Sequence, residues 1–189
     1  MLNDVQLNEI TGVLRKGGTI LYPTDTIWGI GCDATNTKAV DKVFRIKERL
    51  LYKSLIVLVK DVEMLEKYVS SVPDIARELI SSFNEPLTII YPGGRHLPKN
   101  VIADDGSVAV RIPDHSLCLQ LLDAVQKPLT STSANITGAP IPYSYRSVSN
   151  QIKEAVDYIV PLEHDKVTRP KPSTIIKIDS NGELKVLRN

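Results

Sequence analysis

Residues Gly17–Gly31 read GGTILYPTDTIWGIG, and the rest of the chain is arranged around them. A glycine pair precedes a short β-branched and aromatic strand, Thr19 to Tyr22, which stops at Pro23. Proline has no N–H for a central ladder, so the strand hands over there to a loop. Thr24, Asp25 and Thr26 follow at once, then Trp28 and a Gly-x-Gly. Loops at strand ends are where α/β folds place ligands. The same Thr and Asp residues also fit a turn that hydrogen-bonds its own backbone, and the stretch alone leaves both readings open.

On either side of this stretch, segment types alternate. Leu7, Ile10, Val13 and Leu14 stand at helical spacing over 4–16, with Gly17-Gly18 as the stop. Thr37 is the expected cap of a second helix with an apolar stripe of Ala39, Val40, Val43 and Phe44. Strands are expected at 55–59, 87–91, 108–112 and 128–130, the last running into Ser131, Thr132, Ser133, Ala134 and Asn135. Helices are expected at 61–69, 74–83, 116–125 and 145–156, and further strands at 157–160, 174–178 and 184–187. Residues 92–107 read as a long loop, and the Pro-rich piece 161–172 is the best linker candidate. This pattern predicts an α/β fold with a mixed, twisted sheet and flanking helices, in one domain spanning 1–189.

The 189 residues suit one ordinary domain, and 42% hydrophobic with 24% charged residues is normal for a soluble globular protein. A net charge of +1 argues against a globally basic nucleic-acid coat. Cys32 and Cys118 are far apart and suggest neither a disulfide framework nor a zinc site, so a cytoplasmic setting is expected. No signal peptide or membrane-spanning run is apparent.

Three groupings carry chemistry. Lys38, Lys42, Arg45, Lys47, Arg49 and Lys53 are opposed only by Asp41 and Glu48, a local excess of 6 − 2 = +4. If the helix ends near Ile46 and the chain then turns extended, Lys47 and Arg49 point the same way and suit a polyphosphate. A solvated helix face accounts for the same residues. Ser131, Thr132, Ser133 and Asn135 offer hydroxyls, an amide and backbone N–H groups for phosphates, or a capping cluster. Arg111 lies inside the apolar run Val-Ala-Val-Arg-Ile-Pro, either on a solvated face or reaching for a buried carboxylate. No Walker loop or serine elbow is present, and His96, His115 and His164 lack ligand spacing. The polar groups are binders, and no general base stands out.

Taken together, the motifs resemble those of the YrdC-like family, the L-threonylcarbamoyladenylate synthases of tRNA modification. The matching residues are Tyr22-Pro23-Thr24-Asp25-Thr26 with Trp28-Gly29-Ile30-Gly31, Lys47-x-Arg49 with Lys53, Pro86-Leu87-Thr88, Val110-Arg111-x-Pro113, Ser131-Thr132-Ser133-Ala134-Asn135 and Pro172-Ser173-Thr174. Two departures stand out: Leu50 where the family usually has Pro, and Phe83-Asn84-Glu85 where it commonly has Trp-Pro-Gly. The resemblance implies helices and sheet around a deep, positively charged cavity, without the further C-terminal domain that some relatives carry.

It also implies a reaction: L-threonine, bicarbonate and ATP give threonylcarbamoyl-AMP and pyrophosphate, with no protein nucleophile. By that resemblance Thr24 and Ser131 hold threonine, Arg111 pairs its carboxylate and Ser173 lies nearby. Lys47, Arg49 and Lys53 neutralise the triphosphate, Lys47 and Arg49 stabilising charge. Ser133 and Asn135 contact phosphates or their metal, and Arg188 reaches the nucleotide. Mg²⁺ is expected with ATP, which with water supplies most of its ligands. Double-stranded RNA or tRNA and a downstream threonylcarbamoyl transferase are the expected macromolecular partners, and no membrane is. The rival expectation is a non-catalytic RNA- or nucleotide-binding module that uses the 38–53 patch.

Overall fold

Among the described residues nine strands form one mixed sheet with helices on both faces, in the spatial order Tyr158–Ile159, Ile20–Pro23, Trp28–Gly31, Leu129–Ser133, Ile56–Leu58, Val108–Arg111, Leu87–Tyr91, Thr174–Ile178, Leu184–Arg188. The computed structural model describes residues 1–48, 55–164, 167–179 and 181–189. Helix α1 (Asp4–Arg15) leads into β1 (Ile20–Pro23), β2 (Trp28–Gly31), α2 (Thr37–Ile46) and β3 (Ile56–Leu58). Helices α3 (Val62–Glu66) and α4 (Asp74–Ser82) follow, then β4 (Leu87–Tyr91), β5 (Val108–Arg111), α5 (Ser116–Val125) and β6 (Leu129–Ser133). The remainder holds a 3-10 turn at Tyr145–Ser147, α6 (Asn150–Ala155), β7 (Tyr158–Ile159) and the hairpin of β8 (Thr174–Ile178) with β9 (Leu184–Arg188).

Several sequence expectations are corrected. Trp28–Gly31, read as loop, is strand β2, antiparallel to β1 and to β6. Its glycines make this close packing possible: a Cβ on Gly31 would collide with the Thr130 carbonyl and come within 2.8 Å of the Tyr22 ring. The cap of α2 is Asn36, not Thr37, because its extended backbone lets its side-chain oxygen accept from Lys38 N at 3.1 Å and Ala39 N at 3.2 Å. Helix α3 is shorter than 61–69, since Val69 instead bridges to Gly94. The 145–156 helix divides into the 3-10 turn and α6, where Ser149 caps a new start. The linker candidate 161–172 is tied down: Arg169 N donates to Asp25 O at 2.7 Å.

The two faces of the sheet are packed differently. One buries Val57, Ile89, Tyr91, Val108 and Val110 in the larger apolar cluster, together with residues of α2, α3, α4 and α6. The other buries Leu58, Leu129, Ile20 and Tyr22 against α1 and α5. Alternation along a strand puts Ile56 and Ser131 on the face of Leu58 and Leu129, two residues further on. The α1–α5 layer gives way to open space at that row, and the candidate site lies there.

Candidate active site

A cleft of about 260 Å³ occupies this uncovered part of the sheet. Its floor is one row of paired residues across four strands: Ser131 opposite Ile56, Ile56 opposite Ala109, and Ala109 opposite Ile90. Thr24, Ser133, Ser173, Arg111 and Arg188 join the lining, so stretches far apart in the sequence, from Thr24 to Arg188, converge. Among the described residues that line it there is no Asp, Glu, His or Cys.

The Thr24–Ile27 turn is one that hydrogen-bonds its own backbone, the second of the two readings of its sequence. Thr24 Oγ1 accepts from Thr26 N at 3.1 Å and Ile27 N at 3.2 Å, closing the turn on itself, while the residue still lines the cleft. Ser131 faces the cleft from β6, and the neighbouring Thr130 carbonyl accepts from the phenol of Tyr22 at 3.4 Å. Burial pushes that phenol far above its ordinary range, so it remains protonated.

Arg111 reaches a buried carboxylate, one of the two alternatives that its apolar neighbours left open. Nη2 stands 2.5 Å from Asp25 Oδ1, with the two side chains 6% and 1% exposed, and Nη1 donates to Thr26 Oγ1 at 3.0 Å. Nε of Arg111 and Oδ2 of Asp25 are buried without a hydrogen-bond partner among the described residues. Asp25 was visible in the Thr-Asp-Thr run, but nothing in the sequence linked it to a strand some 85 residues away. The lone arginine in an apolar strand was the available signal.

Ser173 is held on two sides: its hydroxyl lies 2.7 Å from Thr88 Oγ1 and accepts from Arg188 Nη2 at 3.3 Å. Arg188 also donates from Nε to the Ser173 carbonyl at 2.9 Å, so β9 delivers its guanidinium to the cleft. Burial lowers the Arg188 pKa, and the positive charge of Arg111 lowers it further. No carboxylate lines the cleft beside Arg188, whereas the charge of Arg111 is paired from behind with Asp25.

Lys47 sits elsewhere. It is the C-cap of α2 in a helical rather than extended conformation, 1% exposed, and does not line the cleft. Its ammonium donates to the carbonyls of Ser133 and Asn135, the latter at 2.7 Å, while Thr137 N and Oγ1 donate back to the Lys47 carbonyl. The lysine thus staples the loop after β6. Asn135, whose Nδ2 donates to Ala139 O at 2.6 Å, belongs to this loop rather than to the cleft lining. Arg49 and Lys53, with Leu50, lie outside the described residues. Elsewhere in the basic stretch Lys42 pairs with Asp157 at 2.5 Å, while Lys38 and Arg45 are exposed.

The architecture is that of a mixed α/β protein whose sheet leaves one open patch lined by hydroxyls and two arginines. The Sua5/YciO/YrdC model, described as telomere recombination, matches residues 12–189, and the chain belongs to that family. It is 36% identical over 185 residues to a putative threonylcarbamoyl-AMP synthase of Methanocaldococcus jannaschii, covering 95% of this chain and 86% of the relative. It is 33% identical over 172 residues to threonylcarbamoyl-AMP synthase of Photobacterium profundum, covering 89% and 92%. The crystal structure of P. abyssi Sua5 complexed with L-threonine superposes with a TM-score of 0.89 at 28% identity, over 100% of this chain. This chain spans 55% of the length of that Sua5 chain. No helix among the described residues is long and apolar enough to cross a membrane.

Proposed function

We propose that the protein is an L-threonylcarbamoyl-AMP synthase, supplying the cytoplasmic pathway that modifies the tRNA adenosine next to the anticodon. The observation that carries this reading is the cleft lining: hydroxyls and two arginines, with no acid, histidine or cysteine among the described residues. Such a site binds and neutralises anions but offers no nucleophile or general base, and the proposed reaction needs neither. The threonine amine and bicarbonate give a carbamate with loss of water. A carbamate oxygen then bonds to the α-phosphorus of ATP as the bond to the bridging β-phosphate oxygen breaks and pyrophosphate leaves. Positioning and charge neutralisation dominate such a transfer.

In this reading Thr24 and Ser131 border the threonine, Arg111 presents its guanidinium to the carboxylate, and Ser173 is fixed beside it. Arg188 and Ser133 face the nucleotide, with Arg49 and Lys53 proposed for the triphosphate. Lys47 and Asn135 act through the loop that follows Ser133. Mg²⁺ would arrive with ATP. Among the described residues no cluster of three His, Cys, Asp or Glu side chains could hold a metal, so phosphate oxygens and water would supply most ligands.

Pyrophosphate release from ATP, with L-threonine and bicarbonate each supplied or withheld, tests the proposal. Release that requires both is expected. No release under any combination would overturn it, and RNA affinity measured against salt would then examine the binding-module alternative.

A further inference from the structure

Strands β4 and β5 expose alternate side chains to two different cavities. Ile90, Ala109 and Arg111 line the cleft, while Ile89, Tyr91 and Val110 face a second cavity of about 370 Å³ on the α3–α4 side of the sheet. Leu65 of α3, Ile80 of α4 and Phe83 form its apolar wall. Its size falls within the range of small-molecule sites, and its composition is that of a pocket for an apolar body.

Its polar end differs in sign from the cleft. Asp25, Glu85 and Asp114 line it against Arg111 and Arg169, a formal balance of 2 − 3 = −1. Arg169 Nη2 is 3.4 Å from Asp114, whereas Glu85 has no ion pair or hydrogen bond among the described residues. Glu85 lies in the Phe83-Asn84-Glu85 run, where the sequence departs from its family's pattern, and all three residues line the cavity. Asp25 is 1% exposed, and its contact with Arg111 is a charge contact that leaves Oδ2 without a donor. A buried carboxylate with an unsatisfied oxygen calls for a partner, and an ammonium group supplies one.

We infer that this second cavity binds a small amphipathic amine, with an aromatic or branched apolar body among Leu65, Ile80 and Phe83 and a protonated amine facing Asp25 and Glu85. Arg111 lines both cavities, so the amine competes with its guanidinium for Asp25 and the occupancy of one side is felt on the other. The site itself is independent of the proposed function; only the use of this coupling, to adjust how firmly the cleft holds a carboxylate, rests on it.

Phenethylamine and phenylacetate, equal in apolar body and opposite in charge, are the probes. Each is titrated into the full chain by NMR, following the Arg111 Nε–H resonance, assigned by its loss in Arg111→Lys. Saturable binding of phenethylamine, at least about tenfold tighter than phenylacetate, is expected, the ratio one ~1.4 kcal/mol contact provides. The Arg111 resonance is expected to move with it. Glu85→Gln, at an exposed position, should weaken the amine severalfold and leave phenylacetate unchanged, and Ile80→Trp should fill the cavity and abolish both. Equal or tighter phenylacetate binding, no saturation by the amine, or an amine affinity indifferent to both variants would overturn the site. An unmoved Arg111 resonance at saturation would overturn the coupling. These readouts need neither ATP nor threonine, so their failure and the absence of pyrophosphate release are separate results.

Discussion

Two ion pairs with almost the same contact distance sit in opposite surroundings. Arg111 and Asp25 meet at 2.5 Å at the end of β5, with side chains 6% and 1% exposed. Lys177 and Asp105 meet at 2.6 Å on the outer part of the sheet, 36% and 52% exposed. Desolvation makes each charge of the first pair depend on the other, whereas water screens the second and can replace either partner. Contact distance therefore says little about consequence, and burial decides it. The buried corner holds a guanidinium in one place between two cavities, while the outer pair fastens a surface loop to β8.

The largest effect is expected from breaking the buried pair on one side only. Arg111→Ala leaves Asp25 charged and enclosed, and should lower unfolding stability by about 3–5 kcal/mol in a urea titration. Arg111→Met combined with Asp25→Leu removes both charges and should recover most of that loss. The double variant should still bind L-threonine more weakly by about 2–5 kcal/mol, measured calorimetrically. A stable double variant with unchanged threonine affinity would confine the pair to a structural role.

Lys47 sharpens the comparison, because it is a buried cation whose visible partners include neutral carbonyls. Lys47→Met should leave the Ser133 and Asn135 carbonyls short of a donor and cost on the order of 1–3 kcal/mol of stability. Pyrophosphate release should fall with it as the loop after β6 loosens, while threonine affinity changes little. Wild-type stability with lost ATP affinity would instead place the ammonium at the phosphates and remove its stapling role.

Much of this arrangement was legible in the sequence where the signal was local. The apolar runs at 87–91 and 108–112 and the helices expected at 74–83 and 116–125 give the elements nearly as they are. The clustering of Thr24, Arg111, Ser131, Ser133 and Ser173 was readable only through family motifs, since no local rule joins four segments in space. Strand β2 escaped because its glycines read as loop, and their reason for being there is the Thr130 carbonyl of another strand. The stapling position of Lys47 was hidden for a similar cause: a lysine beside other basic residues reads as surface until its carbonyl partners are known. Asp25 as the partner of Arg111, and the second cavity behind them, are consequences of tertiary packing alone.

The smallest effect belongs to the exposed pair, and pH separates it from the buried one. The hydrogen bond from Lys177, together with those from Ser107, holds the Asp105 carboxyl down at about 2. An unfolded aspartate titrates near ~3.9, so the folded state binds the proton more weakly. The stabilisation from Asp105 is therefore fully present above ~4 and is lost as pH falls through about 2. Asp105→Asn removes the titrating group, so its stability should lie slightly below wild type at pH 6, by no more than about 1 kcal/mol after solvent screening. The two urea midpoints should then approach one another between pH 4 and pH 2. A constant gap across that interval would mean that the pair contributes through packing of the loop rather than through charge. A gap at pH 6 as large as that of Arg111→Ala would break the argument that burial, and not contact distance, sets what an ion pair does here.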